Sequence, residues 1–142
     1  MTNSRGTILL VDDNDTLRGV LASMLATEGF SVIKGRSLDS GLEEATRIGA
    51  AIDLVICDVM LPGGKANRLA DHRRTLENVP VLMISGYPKE HVEQLSHLPP
   101  GAAFLQKPFS VEELVATADT ALRQRAGANG AASLPGGSER RP

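Results

Sequence analysis

"TILLVDDNDTL", residues 7–17, passes from four consecutive apolar side chains, Ile8 to Val11, straight to the carboxylates of Asp12 and Asp13. An unbroken apolar run of this length is the pattern of a strand covered on both faces. Two adjacent carboxylates at its end are either a solvated turn or a place that needs concentrated negative charge. The rest of the chain decides between these.

Two later stretches repeat the opening. "IDLVICD" (52–58) is an apolar run that ends in Asp58, and "VPVLMIS" (79–85) is one that ends in Ser85. Between the first two, the period changes. Leu17, Val20, Leu21, Met24 and Leu25 recur at helical spacing, with Asn14 or Asp13 as the cap and Gly29 as the stop. "FSVI" (30–33) reads as a second strand and 37–48 as a second helix carrying Leu38, Leu42, Ala45 and Ile48. After Asp58, "LPGGKAN" (61–67) is a loop by its Pro and Gly content, followed by a short basic helix over 68–76. A modest helix follows at 88–98, a strand at 102–106, then "KPF". Ser110 and Glu113 form a capping box, and the helix behind it carries Val111, Leu114, Val115, Ala118 and Leu122 to about Arg125. Residues 1–6 read as a flexible lead-in. Residues 126–142, rich in Gly, Ala, Ser and Pro, read as a disordered tail.

Strand and helix therefore alternate five times with short connections. That predicts an α/β domain over 7–125, a (βα)5 doubly wound sheet of five parallel strands with helices on both faces. The 142 residues fit one core. With aromatic residues at 3%, that core is aliphatic. Seventeen acidic against 15 basic residues, net −2, gives no basic field for nucleic acid. The lone Cys57 excludes a disulfide framework or cysteine cluster and reads as a small core residue. No signal peptide or membrane-length apolar run is present in the sequence, so a cytoplasmic protein without a membrane partner is expected.

In open parallel sheets, ligands bind beyond the carboxyl ends of the strands, where strand order reverses. Asp12, Asp13, Asp58, Ser85 and Lys107 all fall at such ends. Carboxylates gathered there repel one another unless a cation joins them. Mg²⁺ prefers oxygen ligands and pairs carboxylates with phosphate, whereas nothing in the chain has the pattern of a zinc site. An aspartate can accept a phosphoryl group. Asp58 stands alone at its strand end and is the candidate nucleophile, with Asp12 and Asp13 as the pair that grips the ion. Lys107 and Ser85 are candidates to hold phosphoryl oxygens.

"ILLVDDND", "DLVICDVMLPGG", "VLMISGY" and "FLQKPFS" together resemble the receiver domain of two-component response regulators, the CheY-like, flavodoxin-like group, from about Thr7 to Arg125. The resemblance implies that Asp58 accepts phosphate from a histidine kinase or histidine phosphotransfer protein. It implies that Mg²⁺ is held by Asp13, by Asp12 largely through water, by Asp58 and by the backbone carbonyl of Met60. It places the family hydroxyl on Ser85 and the family lysine on Lys107, with a cis bond to Pro108. The switch aromatic falls on Phe104, and Tyr87 lies over the end of the fourth strand. Phosphorylation would change the face made by the fourth and fifth predicted helices and the fifth strand, and so a downstream protein target or a phosphorylation-dependent homodimer. After Asp58 the family usually continues Met-Pro-x-Met-x-Gly. This chain keeps Pro62 but has Gly64 and Ala66 at the apolar and glycine positions, which predicts another loop path and a short third helix.

Other classes fit less well. A Mg²⁺-dependent phosphatase wants an acidic residue two past its nucleophile, where this chain has Met60. A flavin or nucleotide module wants a glycine-rich loop after the first strand, where this chain has "DDND". A phosphorylation-independent interaction domain has no need of the full polar set. A free-standing receiver and one excised from a hybrid kinase or larger regulator read alike. Such a module is no conventional enzyme; its chemistry extends to self-catalysed phosphotransfer and autodephosphorylation.

Overall fold

The computed structural model describes residues 4–58, 76–95 and 101–133. In chain order these form β1 (Thr7–Val11), α1 (Asp15–Thr27), β2 (Ser31–Gly35), α2 (Leu38–Ile48), β3 (Leu54–Asp58), β4 (Val81–Ser85), α3 (Lys89–Leu95), β5 (Ala103–Gln106) and α4 (Val111–Ser133). All five strands are parallel, in the order β2-β1-β3-β4-β5. The loop expected at 61–67 and nearly all of the helix expected at 68–76 lie outside the described residues, as does Met60.

The apolar runs are buried because the sheet is covered on both faces, and alternate residues go to opposite faces. Leu9, Val11, Val55, Cys57 and Met83 pack with Leu38, Leu42 and Ala45 of α2 and Val92 of α3. Ile8, Leu10, Leu54, Ile56, Leu82 and Ile84 pack with Leu21, Ala22 and Leu25 of α1 and Leu114, Ala118 and Ala121 of α4. The four helices of the described residues thus lie on both faces of the sheet, as the alternation predicted. Val20 and Ile48, counted above as part of the apolar stripes, are instead about half exposed, at 47% and 50%. They lie at the margins of stripes whose centres, Leu21 with Leu25 and Leu42 with Ala45, reach the sheet.

Local chemistry sets the ends of the elements. Asn14 caps α1, its side chain accepting from the Leu17 N–H at 2.9 Å, which decides between the two cap candidates. Ser37 and Ser40 form a reciprocal capping box on α2. Gly35 and Gly41 allow α2 to lie close on the sheet. A Cβ on Gly35 would stand 2.7 Å from Gly41 Cα and 2.8 Å from the Ser37 carbonyl oxygen. α4 does not stop near Arg125. Its backbone stays helical to Ser133, where composition predicted a disordered tail.

Candidate functional site

Strand order fixes where the polar residues meet. The chain leaves β1 for β2 on one side and then returns to β3 on the other, so the carboxyl ends of β1 and β3 flank the reversal point. Asp12 and Asp13 follow β1 directly, and Asp58 is the last residue of β3. One carboxylate oxygen from each of the three lies within 4.8 Å of the others. Lys107, just past β5, brings its Nζ to 3.1 Å from Asp58 Oδ1. Ser85 ends β4 next to Asp58, because Asp58 is in register with Ile84. Ser85 is fully buried, and its Oγ accepts the Tyr87 N–H at 2.9 Å. The Lys107 N–H donates to the Ser85 carbonyl at 2.7 Å, fastening the lysine's backbone to the end of β4. All five polar residues predicted for the site therefore stand at one edge of the sheet.

The two aspartates of the pair differ. Asp12 is 1% exposed, whereas Asp13 is exposed. Asp12 Oδ1 accepts the Asn14 N–H at 2.9 Å, and the Asp12 N–H donates to Gly35 O at 3.1 Å. The Asp12 carbonyl accepts from Arg18 Nη1 at 2.7 Å. The other guanidinium nitrogen, Nη2, reaches Asp15 Oδ1 at 2.8 Å, and Arg36 Nε stands 3.8 Å from the same oxygen. The Arg18 hydrogen bond, then the charges of Arg18 and Arg36, hold the Asp15 carboxyl below the usual carboxylate range. Asp15 and Arg18 lie in the first turn of α1 and were not singled out by the sequence. Their i,i+3 spacing was the available signal.

The donor set suits the ion the sequence suggested. Three carboxylates offer hard oxygen ligands, the class Mg²⁺ selects. Their oxygens, within 4.8 Å of one another, would serve one small cation. Met60, expected to add a backbone carbonyl, lies outside the described residues.

The family model of the response regulator receiver domain matches residues 8–119. The chain belongs to this receiver family. Among curated relatives, the sensory transduction protein RegX3 of Mycolicibacterium smegmatis is 34% identical over 84% of this chain and 51% of its own length. The transcriptional activator protein PfeR of Pseudomonas aeruginosa is 37% identical over 82% of this chain and 38% of its own. This chain thus spans about half, or less, of the curated relatives it matches. Among solved structures, a response regulator receiver protein from Sinorhizobium medicae has a TM-score of 0.69 at 30% identity, over 84% of this chain and 96% of that one. The receiver domain of the hybrid histidine kinase CckA has a TM-score of 0.64 at 32% identity, over 82% and 99%.

In this receiver the Lys107–Pro108 peptide is cis. Phe104, in register with Met83, is partly buried against the core on the α2 and α3 side of the sheet. Tyr87 is 48% exposed and stacks on His91 of α3, with ring centroids 5.5 Å apart and planes 16° from parallel. No sequence motif marks that histidine. Among the described residues, no helix is long and apolar enough to cross a membrane.

Proposed function

We propose that this receiver is a phosphoacceptor of two-component signalling that takes its phosphoryl group on Asp58, from the phosphohistidine of a histidine kinase or histidine phosphotransfer protein in the cytoplasm. One observation carries the reading: Asp12, Asp13 and Asp58 converge within 4.8 Å while Lys107 stands 3.1 Å from Asp58. A solvated turn has no use for a cation aimed at a third carboxylate from another strand.

An Asp58 carboxylate oxygen attacks phosphorus as the P–N bond to the donor imidazole breaks. The imidazole nitrogen keeps the bonding pair and takes a proton from solvent. Asp12, Asp13 and Asp58, with the Met60 carbonyl, would hold Mg²⁺, which supplies positive charge beside the phosphoryl oxygens. Lys107 is placed to balance a further oxygen. The Ser85 hydroxyl, now accepting from Tyr87, keeps its own O–H to donate to another. Ser85 shifting toward the phosphoryl group would open space that Phe104 fills. That repacks α3, β5 and α4 as a population shift and alters the surface offered to a downstream protein or a second copy. Tyr87 and Pro108 border the same region.

The test is intact mass after incubation with acetyl phosphate and MgCl₂. A single phosphoryl adduct is expected, absent in Asp58→Asn and absent when EDTA removes the metal. An adduct that persists in Asp58→Asn, or none in the wild-type protein, overturns the proposal.

A further inference from the structure

The strand-end turn that carries the acidic pair is braced from behind by one side chain that the phosphoacceptor chemistry does not use. Asp12 is 1% exposed, so each of its backbone polar groups needs a partner inside the protein. Its N–H has Gly35 O, and its C=O has the guanidinium of Arg18 at 2.7 Å. Arg18 sits one turn into α1. Helical side chains lean toward the N-terminus of their helix, which carries this one back over the turn. Its side chain is only 16% exposed. The fork spends its second nitrogen on Asp15 Oδ1 at 2.8 Å, and Arg36 Nε stands 3.8 Å from the same oxygen. The guanidinium is thereby fixed at two points, and the carbonyl it holds lies between the last residue of β1 and Asp13. Rotation of that peptide would swing both carboxylates of the pair.

We infer that Arg18 is a positioning residue for the metal-binding turn: through the Asp12 carbonyl, with Asp15 and Arg36 holding its fork, it sets the direction in which Asp12 and Asp13 present their carboxylates to a divalent cation. The inference rests on the metal role proposed above. A charge effect alone would act in the opposite sense, because a cation near the site repels Mg²⁺. Loss of Arg18 by itself would then tighten binding, whereas loss of a brace weakens it. The sign of the change separates the two.

The experiment is calorimetric titration of the intact chain with MgCl₂, beside amide hydrogen exchange at Asn14, whose N–H bonds to Asp12 Oδ1. Arg18→Ala is expected to weaken Mg²⁺ binding about tenfold, the lower end for residues that orient metal ligands, and to speed exchange at Asn14. Arg18→Lys keeps the charge and one donor but cannot span both acceptors, and is expected to recover only part of the loss. Arg5→Ala is the control for general destabilisation. Arg5 joins Glu28, Phe30 and Asp119 away from the acidic turn, and its loss is expected to lower the melting temperature with Mg²⁺ affinity unchanged. Arg18→Ala binding Mg²⁺ as tightly as the wild type, or more tightly, overturns the inference and leaves the metal role standing. A wild-type chain that binds no Mg²⁺, like Asp13→Asn, overturns both.

Discussion

Lys107→Ala should move metal binding and phosphoryl acceptance in opposite directions. In the folded protein the Lys107 ammonium lies 3.1 Å from Asp58 Oδ1, with side chains 32% and 12% exposed. A divalent ion on the same carboxylate would stand on the order of 5 Å from the ammonium, taking a metal–oxygen distance of about 2 Å. Lysine at a third exposure sits in a largely aqueous dielectric. There, a single and a double positive charge at about 5 Å repel by roughly 1.7 kcal/mol. Screening at physiological ionic strength cuts that to about 0.9 kcal/mol. Removing the ammonium should therefore tighten Mg²⁺ binding about fivefold at physiological salt, rising toward roughly eighteenfold at low salt. The phosphoryl group, however, loses a cation for its oxygens, and the rate of adduct formation from acetyl phosphate should fall by about 10² or more. Calorimetry at two ionic strengths and timed intact-mass measurement read the two effects. Lys107→Ala binding Mg²⁺ no more tightly than the wild type, or with a gain independent of salt, would refute the repulsion. Lys107 would then be a structural partner of Asp58 rather than a counter-ion that yields to the metal.

Two further predictions concern the frame around the site. Gly35→Ala forces a Cβ to within 2.8 Å of helix backbone. It should cost about 1–3 kcal/mol and lower the melting temperature by roughly 3–10 °C in circular dichroism. Gly19→Ala, on α1 with nothing within 4 Å of the new Cβ, should instead raise stability by up to about 1 kcal/mol, and melting shifts of the same sign would refute the packing argument. The Asp15 carboxyl, held low by Arg18 and Arg36, stabilises the fold fully above its unfolded value near 3.8 and loses that contribution as pH falls through its lower folded value. Carboxyl-carbon NMR titration should show the Asp15 pKa rising in Arg18→Ala, and an unchanged titration would remove Arg18 as the cause.

Strand sites were legible because Asp12, Asp58 and Ser85 each follow an unbroken apolar run. Ile8 to Val11 and Leu54 to Cys57 are fully buried or nearly so, and the residue that ends such a run must lie at the sheet edge. Nothing in that pattern depends on knowing the neighbours. What was not legible is what depends on a neighbour's rotamer or backbone path. The Arg18 fork joins Asp12 and Asp15 only after α1 has been capped by Asn14 and the turn has closed on Gly35. The Tyr87–His91 stack arises only where α3 starts directly beyond the end of β4. The helical course of 126–133 shows the limit from the other side. Composition averages Gly with Ala and reads disorder, while a helix already nucleated at Ser110 propagates one residue at a time through the alanines.

The same distinction applies to the acidic pair. From the sequence alone, Asp12 and Asp13 were adjacent carboxylates with equal claim to the ion, and only the family resemblance separated them. The fold separates them physically. Asp12 is the last residue still tied to the sheet, through Gly35, and the first tied to α1, through Asn14 and Arg18. One of its carboxylate oxygens is occupied by a backbone N–H, which leaves it less able to turn toward a ligand. Asp13 is exposed beside it. Arg18, by holding the peptide between them, governs the placement of both.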